Sequence, residues 1–429
     1  MSRLRCVKFL ILFVTSDSGV TMHAPGGGCV LSDDYISERI AAWRRRRESW
    51  GGALFHGRTR PGPGDLVLMS NDYLMLGGQW PMVSAQMSAL LEHGNGLLMS
   101  GVLVGDTDPI RDLEHRLAAF GQAPAVMLCQ SGWAANVGLI QAIAPPGRPV
   151  FVDAAAHASL WAGIAAAGAV AVPFAHNDCA HLERLIARHG PGLVAFDTLY
   201  SVTGDLCPLT DLAEVSARTG CSLIADESHT LGVLGPAGAG LVVALGLTDR
   251  VAYRTASLAK AFAGRAGLIM CSGQVADFLP FHSLGAIFSS TLLPHDLAGL
   301  SAALELILGG DDRRRRLVRN AALLRVGLTE LGYNVAPSES QIIPLRPGTE
   351  DMLCRLQHAL DARGVFGAPF AYPAVGRNST ALRLSVHCEL TDADLDRILD
   401  GCAEIRDEVG LSGWKSTRRL LTASQTAVC

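Results

Sequence analysis

From Pro124 onward the sequence alternates short apolar runs with helix-length amphipathic segments, and this alternation restricts the fold more than any other feature. PAVMLC (124–129) precedes SGWAANVGLIQAI (131–143), PVFVDA (149–154) precedes HASLWAGIAAAG (157–168), and AVAVPFAH (169–176) precedes CAHLERLIARHG (179–190). GLVAFDTLYS, PLTDLAEVSARTG, CSLIADES, VAYRTAS and GLIMCSG continue the series to residue 273. Apolar strands separated by amphipathic helices imply an α/β fold with a mostly parallel sheet covered on both faces. A ligand then belongs at the carboxyl ends of the strands. The polar residues that end them are Ser131, Asp153 with His157, Ser201, Asp226 with His229, and Ser257 with Lys260, and they should converge on one crevice.

A chain of 429 residues is too long for a single core. The sequence divides into a large domain over 65–300, after an N-terminal segment over 22–64, and a compact α+β domain over 301–412. A polar tail at 413–429 is expected to fray. Phe9 to Val14, FLILFV, is too short to span a membrane and lacks a convincing cleavage site, so residues 1–21 read as a spurious or disordered extension before Met22. The eleven cysteines are odd in number, form no CxxC pair and sit mainly in apolar contexts, which suits reduced thiols in a cytoplasmic protein. A net charge of −4 gives no electrostatic case for nucleic acid. The arginine runs at 44–47 and 313–316 read as solvated helix faces, the first with an alternative role in holding a CoA phosphate. His176 and His181 lack a further ligand cluster and read as surface histidines, so no metal is expected.

Within RTASLAKAFAGRAG (254–267), Lys260 is the only charge between two arginines, and its ammonium needs a partner once water is excluded. Asp226, at the end of LIAD, is the obvious one. The two could form a structural ion pair, or a cofactor could lie between them. Pyridoxal phosphate fits the second case: it needs a lysine for a Schiff base and a carboxylate facing its ring nitrogen. Ser131 and Gly132, where a strand passes into a helix, would offer free N–H groups to the phosphate, and Ser257 a hydroxyl. Spacing alone leaves both readings open.

A set of motifs in fixed order carries a resemblance. SNDYL (70–74), SGWAAN (131–136), HAS (157–159), YSVTGDLCPL (200–209), DESHTLGVLGPAGAG (226–240), SLAKAFAGRAG (257–267), SSTLLP (289–294) and LRLSVH (382–387) together resemble the α-oxoamine synthases, fold type I pyridoxal phosphate enzymes, over residues 65–405. SGWAANVGL, DESH, SLAK and IFSSTLLPH are most similar to the quorum-sensing branch, the α-hydroxyketone autoinducer synthases. The resemblance implies roles. Lys260 would hold the cofactor and exchange protons at the substrate Cα, Asp226 would face the pyridine nitrogen, and His157 would stack on the ring. His229 and Ser201 would bond its 3-oxygen, while Ser131, Gly132, Trp133 and Ser257 would hold the phosphate. Ser290 and Thr291 would reach the phosphate of the neighbouring subunit in a homodimer, and Arg383, assisted by Asn71, would clamp the amino-acid carboxylate.

One region departs from the family pattern. Members using glycine or alanine carry a Gly/Ser-rich run with an arginine and a histidine before the LE pair, whereas residues 93–114 read HGNGLLMSGVLVGDTDPIRDLE with neither in place. The autoinducer branch departs similarly, which argues against a glycine-sized amino-acid pocket. The implied function is an acyl-CoA-dependent, decarboxylating C-acyltransferase that joins an amino acid (2-aminobutyrate or S-adenosylmethionine) to a medium-chain acyl group. Its α-aminoketone product would be the precursor of a diffusible signal. The nearest alternative is a biosynthetic synthase of the 8-amino-7-oxononanoate, 2-amino-3-ketobutyrate or serine palmitoyltransferase type.

Overall fold

The structure is a computed structural model that describes residues 33–49, 58 and 60–417, so the expectations for residues 1–21 and for the tail beyond Thr417 concern residues outside those described. The chain divides between Gly52 and Ala53 into two units. In the first, the described element is the helix Asp33–Ser49, on which Arg44 and Arg45 are exposed.

The second unit holds the described strands: β1 (Leu66–Leu68), β2 (Ala125–Cys129), β3 (Pro149–Asp153), β4 (Val170–Phe174), β5 (Leu193–Asp197), β6 (Ser222–Asp226), β7 (Tyr253–Ser257), β8 (Gly267–Cys271), β9 (Ile342–Gly348), β10 (Val365–Phe370) and β11 (Thr380–Ser385). Seven form one sheet in the order β2-β8-β7-β6-β5-β3-β4. Its β7-β6-β5-β3-β4 portion is parallel, and β8 runs antiparallel to both neighbours. This is the mostly parallel sheet of a fold type I transferase. The inner strands are buried because helices cover both faces: Leu139 and Leu160 pack on one side with Val152 and Ile224, Leu212 and Val215 on the other with Phe196 and Leu223. β4 is the edge strand, where Pro173 costs no ladder bond.

The four remaining strands form a second sheet, β1-β10-β11-β9. β1 lies far outside the 301–412 span assigned to the smaller domain, yet it pairs in parallel with β10, Leu66 opposite Val365. Residues 414–417, assigned to the polar tail, are packed rather than frayed. Trp414 is buried against Tyr333 and donates to the Val409 carbonyl, and the Ser416 carbonyl accepts from Asn334. A large aromatic ring supplied the burial that the surrounding polar residues concealed.

The second arginine run is only in part a solvated face. On the helix Asp311–Glu330, Arg313 is half-buried and donates to the Leu74 carbonyl, and Arg314 is buried and donates to the Ile307 carbonyl. Arg315 and Arg316 are exposed, Arg315 beside its ion-pair partner Asp312 and Arg316 donating to the Cys388 carbonyl. Arg254, which opens the Lys260 segment, is buried in an ion pair with Glu227 and also donates to the carbonyls of Gly121 and Ala239. Saturating both charges with hydrogen bonds offsets their loss of water. All eight described cysteines are free, and seven are buried. No helix among the described residues is long and apolar enough to cross a membrane.

Candidate active site

The carboxyl ends of β5, β6 and β7 meet the N-terminus of the helix Gly132–Ile143 around one cavity. It is lined by Gly132, Trp133, Asn136, His157, Asp197, Leu199, Asp226, Ser228, His229, Ser257 and Lys260. Seven of the residues singled out in the sequence are therefore neighbours. Strand register brings two carboxylates side by side, because Asp197 and Asp226 end adjacent parallel strands at the same level. Asp226 is held from two directions: its Oδ2 accepts from Asn136 Nδ2 at 2.6 Å and its Oδ1 from the Ser228 N–H at 2.9 Å. Asp197 accepts from the His157 N–H at 3.1 Å, and burial, with Asp226 beside it, pushes its carboxyl well above the usual range.

Lys260 is largely shielded from water. Burial first, and then the Arg383 guanidinium, lower its ammonium pKa, while Asp226 and Asp197 offset part of the effect. A lowered pKa is what a lysine needs to act as a nucleophile and proton carrier.

The phosphate end is built by close approach. Ser131 caps the helix by accepting from the Ala134 N–H, leaving the first N–H groups free to face an anion. Gly132 cannot be replaced there: a Cβ would stand 2.5 Å from Ser257 Cβ. Ser257 is fixed in turn by its own N–H donating to Ser228 Oγ. The residues thus fit pyridoxal phosphate, with a helix N-terminus and hydroxyls at one end and an anionic carboxylate at the other. His157 and Trp133 stand exposed beside the cavity, ring centroids 6.2 Å apart and nearly perpendicular.

Arg383 lies on β11 and is buried. Its Nη2 donates to Asn71 Oδ1 and its Nη1 to the Ser201 carbonyl, both at 2.8 Å, with the guanidinium carbon 4.8 Å from the Phe370 ring centroid. Ser201 therefore meets the site through its carbonyl, and its hydroxyl does not line the cavity. Ser290 and Thr291 do not line the cavity either. Ser290 is exposed and its carbonyl accepts from Gln130, while the Thr291 N–H donates to the Met99 carbonyl.

Sequence reasoning left Asn136, Asp197, Ser228 and Tyr73 without roles. Asn136 had a readable signal, lying four residues beyond Gly132 and so on the same helix face. Tyr73 had none, since its partner His229 is distant in sequence.

His176 is a correction. Rather than a surface histidine it is a clamp, donating to Asp153 at 3.0 Å and to Asp205 at 2.8 Å. Among the described residues no cluster of His, Cys, Asp and Glu could hold a metal ion. Burial opposes its charge, but hydrogen bonds to the two carboxylates outweigh burial and raise the imidazole to about 9, while the same bonds hold both carboxyls below their usual range. Because the folded value lies above the ordinary 6.5, this contribution to stability is complete below pH 6.5 and is lost as pH rises through about 9. Urea midpoints measured from pH 6 to 10 should fall over that window, and His176→Asn should flatten the fall.

With that geometry in place, the chain can be set beside known proteins. The family profile "Aminotransferase class I and II" matches residues 63–401. The chain belongs to that family. It is 44% identical over 345 residues to the CAI-1 autoinducer synthase of Vibrio campbellii, covering 80% of this chain and 88% of that protein. It is 33% identical to the 8-amino-7-oxononanoate synthase of Gluconacetobacter diazotrophicus, covering 82% and 91%. In fold it is similar to a serine palmitoyltransferase from S. paucimobilis, with a TM-score of 0.82 at 23% identity over 89% of this chain and 99% of that one. At that identity the likeness speaks for the fold. The relatives are α-oxoamine synthases, pyridoxal phosphate-dependent enzymes of acyltransferase type, a group that takes amino acid and acyl-CoA substrates.

Proposed function

We propose that the chain is a pyridoxal phosphate-dependent acyl-CoA:amino acid C-acyltransferase making the α-aminoketone precursor of a quorum-sensing signal. In the overall reaction the amino acid loses its Cα proton and its carboxylate, a new carbon–carbon bond forms to the acyl carbon, and the carbon–sulfur bond to CoA breaks. An amino acid, an acyl-CoA and one proton thus yield an aminoketone, carbon dioxide and CoA. Pyridoxal phosphate, when bound, supplies the aldehyde that takes up the amine and the ring that accepts the electron pair left at Cα.

The chain's own groups do the rest. Lys260 Nζ takes the Cα proton and later returns one, a task suited to an amine whose pKa burial lowers. Asp226, fixed by Asn136 and Ser228, would supply the carboxylate for the ring nitrogen. Gly132, Ser131, Trp133 and Ser257 would hold the phosphate end, His157 would cover the ring, and His229 would meet the 3-oxygen, while Ser201 braces Arg383 through its carbonyl. Arg383, braced by Asn71, holds the substrate carboxylate with its remaining donors until the carbon–carbon bond has formed. Ser290 and Thr291 serve the neighbouring subunit of a homodimer. Exposed Leu97, Leu98, Leu103, Leu284 and Phe288 near them support such an interface.

The observation that carries the reading is the shared cavity of Lys260, Asp226 and the Gly132 helix N-terminus. The 44% identity to an autoinducer synthase favours 2-aminobutyrate or S-adenosylmethionine as the amino-acid substrate and a medium-chain acyl-CoA as the acyl donor. Mass spectrometry of products from the purified protein offered mixed amino acids and acyl-CoAs tests it. A medium-chain aminoketone is expected; turnover of glycine, alanine or serine alone would instead favour a biosynthetic synthase.

A further inference from the structure

The SNDYL segment places an unassigned phenol between two parts of the site. Tyr73 is fully buried; its Oη lies 2.7 Å from His229 Nδ1 and 3.2 Å from Asn71 Oδ1. A phenol has one proton and cannot donate to both. Asn71 Oδ1 already accepts from Arg383 at 2.8 Å, and Nδ1 is the acceptor at the shorter distance from the phenol. Gln341 Nε2 donates to the His229 carbonyl and so helps to hold the imidazole against the phenol.

We propose that Tyr73 is a positioning residue that fixes His229 as the Nε2–H tautomer, so that the imidazole presents a donor rather than a lone pair to the cavity it lines. This rests on the pyridoxal phosphate reading, in which the cavity side of His229 meets the anionic 3-oxygen of the ring. A bare nitrogen there would repel that oxygen, and an N–H stabilises it. The charged and titratable groups facing His229 are Lys260, Arg383, His157 and Tyr73. Burial, then these cations, hold the imidazole well below its ordinary value, and burial pushes the phenol up to about 12. Both partners are therefore neutral, and the single phenol proton decides the tautomer. The same phenol lies against Asn71, so the carboxylate arm and the ring arm of the site share one support.

The test is Tyr73→Phe, which removes one oxygen and keeps the ring. In the wild type loaded with pyridoxal phosphate, the visible band of the chromophore formed with Lys260 titrates with pH. A donor at the 3-oxygen lets the neighbouring nitrogen release its proton more readily, so losing it should move the midpoint up by about one pH unit, the size of one hydrogen bond. Circular dichroism checks that the variant folds, and a folded, loaded variant with an unchanged midpoint overturns the proposal. If the variant fails to fold, imidazole nitrogen-15 shifts of His229 in the wild type decide the matter without cofactor or activity. A proton on Nε2 supports the assignment and one on Nδ1 overturns it. A wild type that acquires no visible band with pyridoxal phosphate removes the functional reading itself, a result distinct from either.

Discussion

Lys260→Ala should leave a folded protein that gives no visible band with pyridoxal phosphate and turns over about 10⁴-fold more slowly, the upper end of what one positioned acid–base group contributes. The reason is that no neighbouring residue can replace it. The cavity's other titratable groups are two adjoining carboxyls, one of them with its pKa raised by burial, and the imidazoles of His157 and His229, the second with its pKa lowered by burial and the surrounding cations. Stability should change little or improve, since the substitution removes an ammonium that burial destabilises. Absorbance spectroscopy, CoA release and a urea melt measure the three effects. A variant that kept turnover within tenfold of the parent would remove the lysine from the chemistry.

Arg383→Lys should raise the KM for the amino donor by about 100-fold, the equivalent of roughly one to two charge-assisted hydrogen bonds, while leaving the KM for the acyl-CoA within about threefold. Charge is retained but the planar fork is lost. A lysine could not meet Asn71 Oδ1, the Ser201 carbonyl and the Phe370 ring together while still presenting two parallel donors to a carboxylate. Steady-state kinetics with each substrate varied in turn separates the two constants. Equal increases in both would point to a general distortion of the site.

The elements that converge on the cavity were legible because each is announced locally. An apolar strand ending in Asp226, a strand passing into a helix at Gly132, and a lysine among small residues each carry their meaning within a few positions. What stayed hidden depends on partners brought together only by folding. Asp197 gains its raised pKa from burial and then from its register beside Asp226, neither of which strand composition encodes. His176 looked solvent-facing because Asp153 and Asp205, which hold it, come from the end of β3 and from a loop well separated in sequence. Arg313 and Arg314 looked solvated because the carbonyls they cap, of Leu74 and Ile307, belong to other elements. Ser201 was read through its hydroxyl, whereas its carbonyl is the group that the structure uses.

The pairing of β1 with β10 has a consequence for how the chain is made. Leu66 must wait for Val365, and at typical translation rates the roughly 300 intervening residues take about 15–60 s to emerge from the ribosome. Through that interval an apolar tripeptide has no sheet to join, although the seven-stranded layer can already assemble. The brace Asn71–Arg383 closes over a similar span of sequence. A nascent chain therefore gains its cofactor crevice well before its carboxylate clamp, and becomes a competent catalyst only near the end of its synthesis.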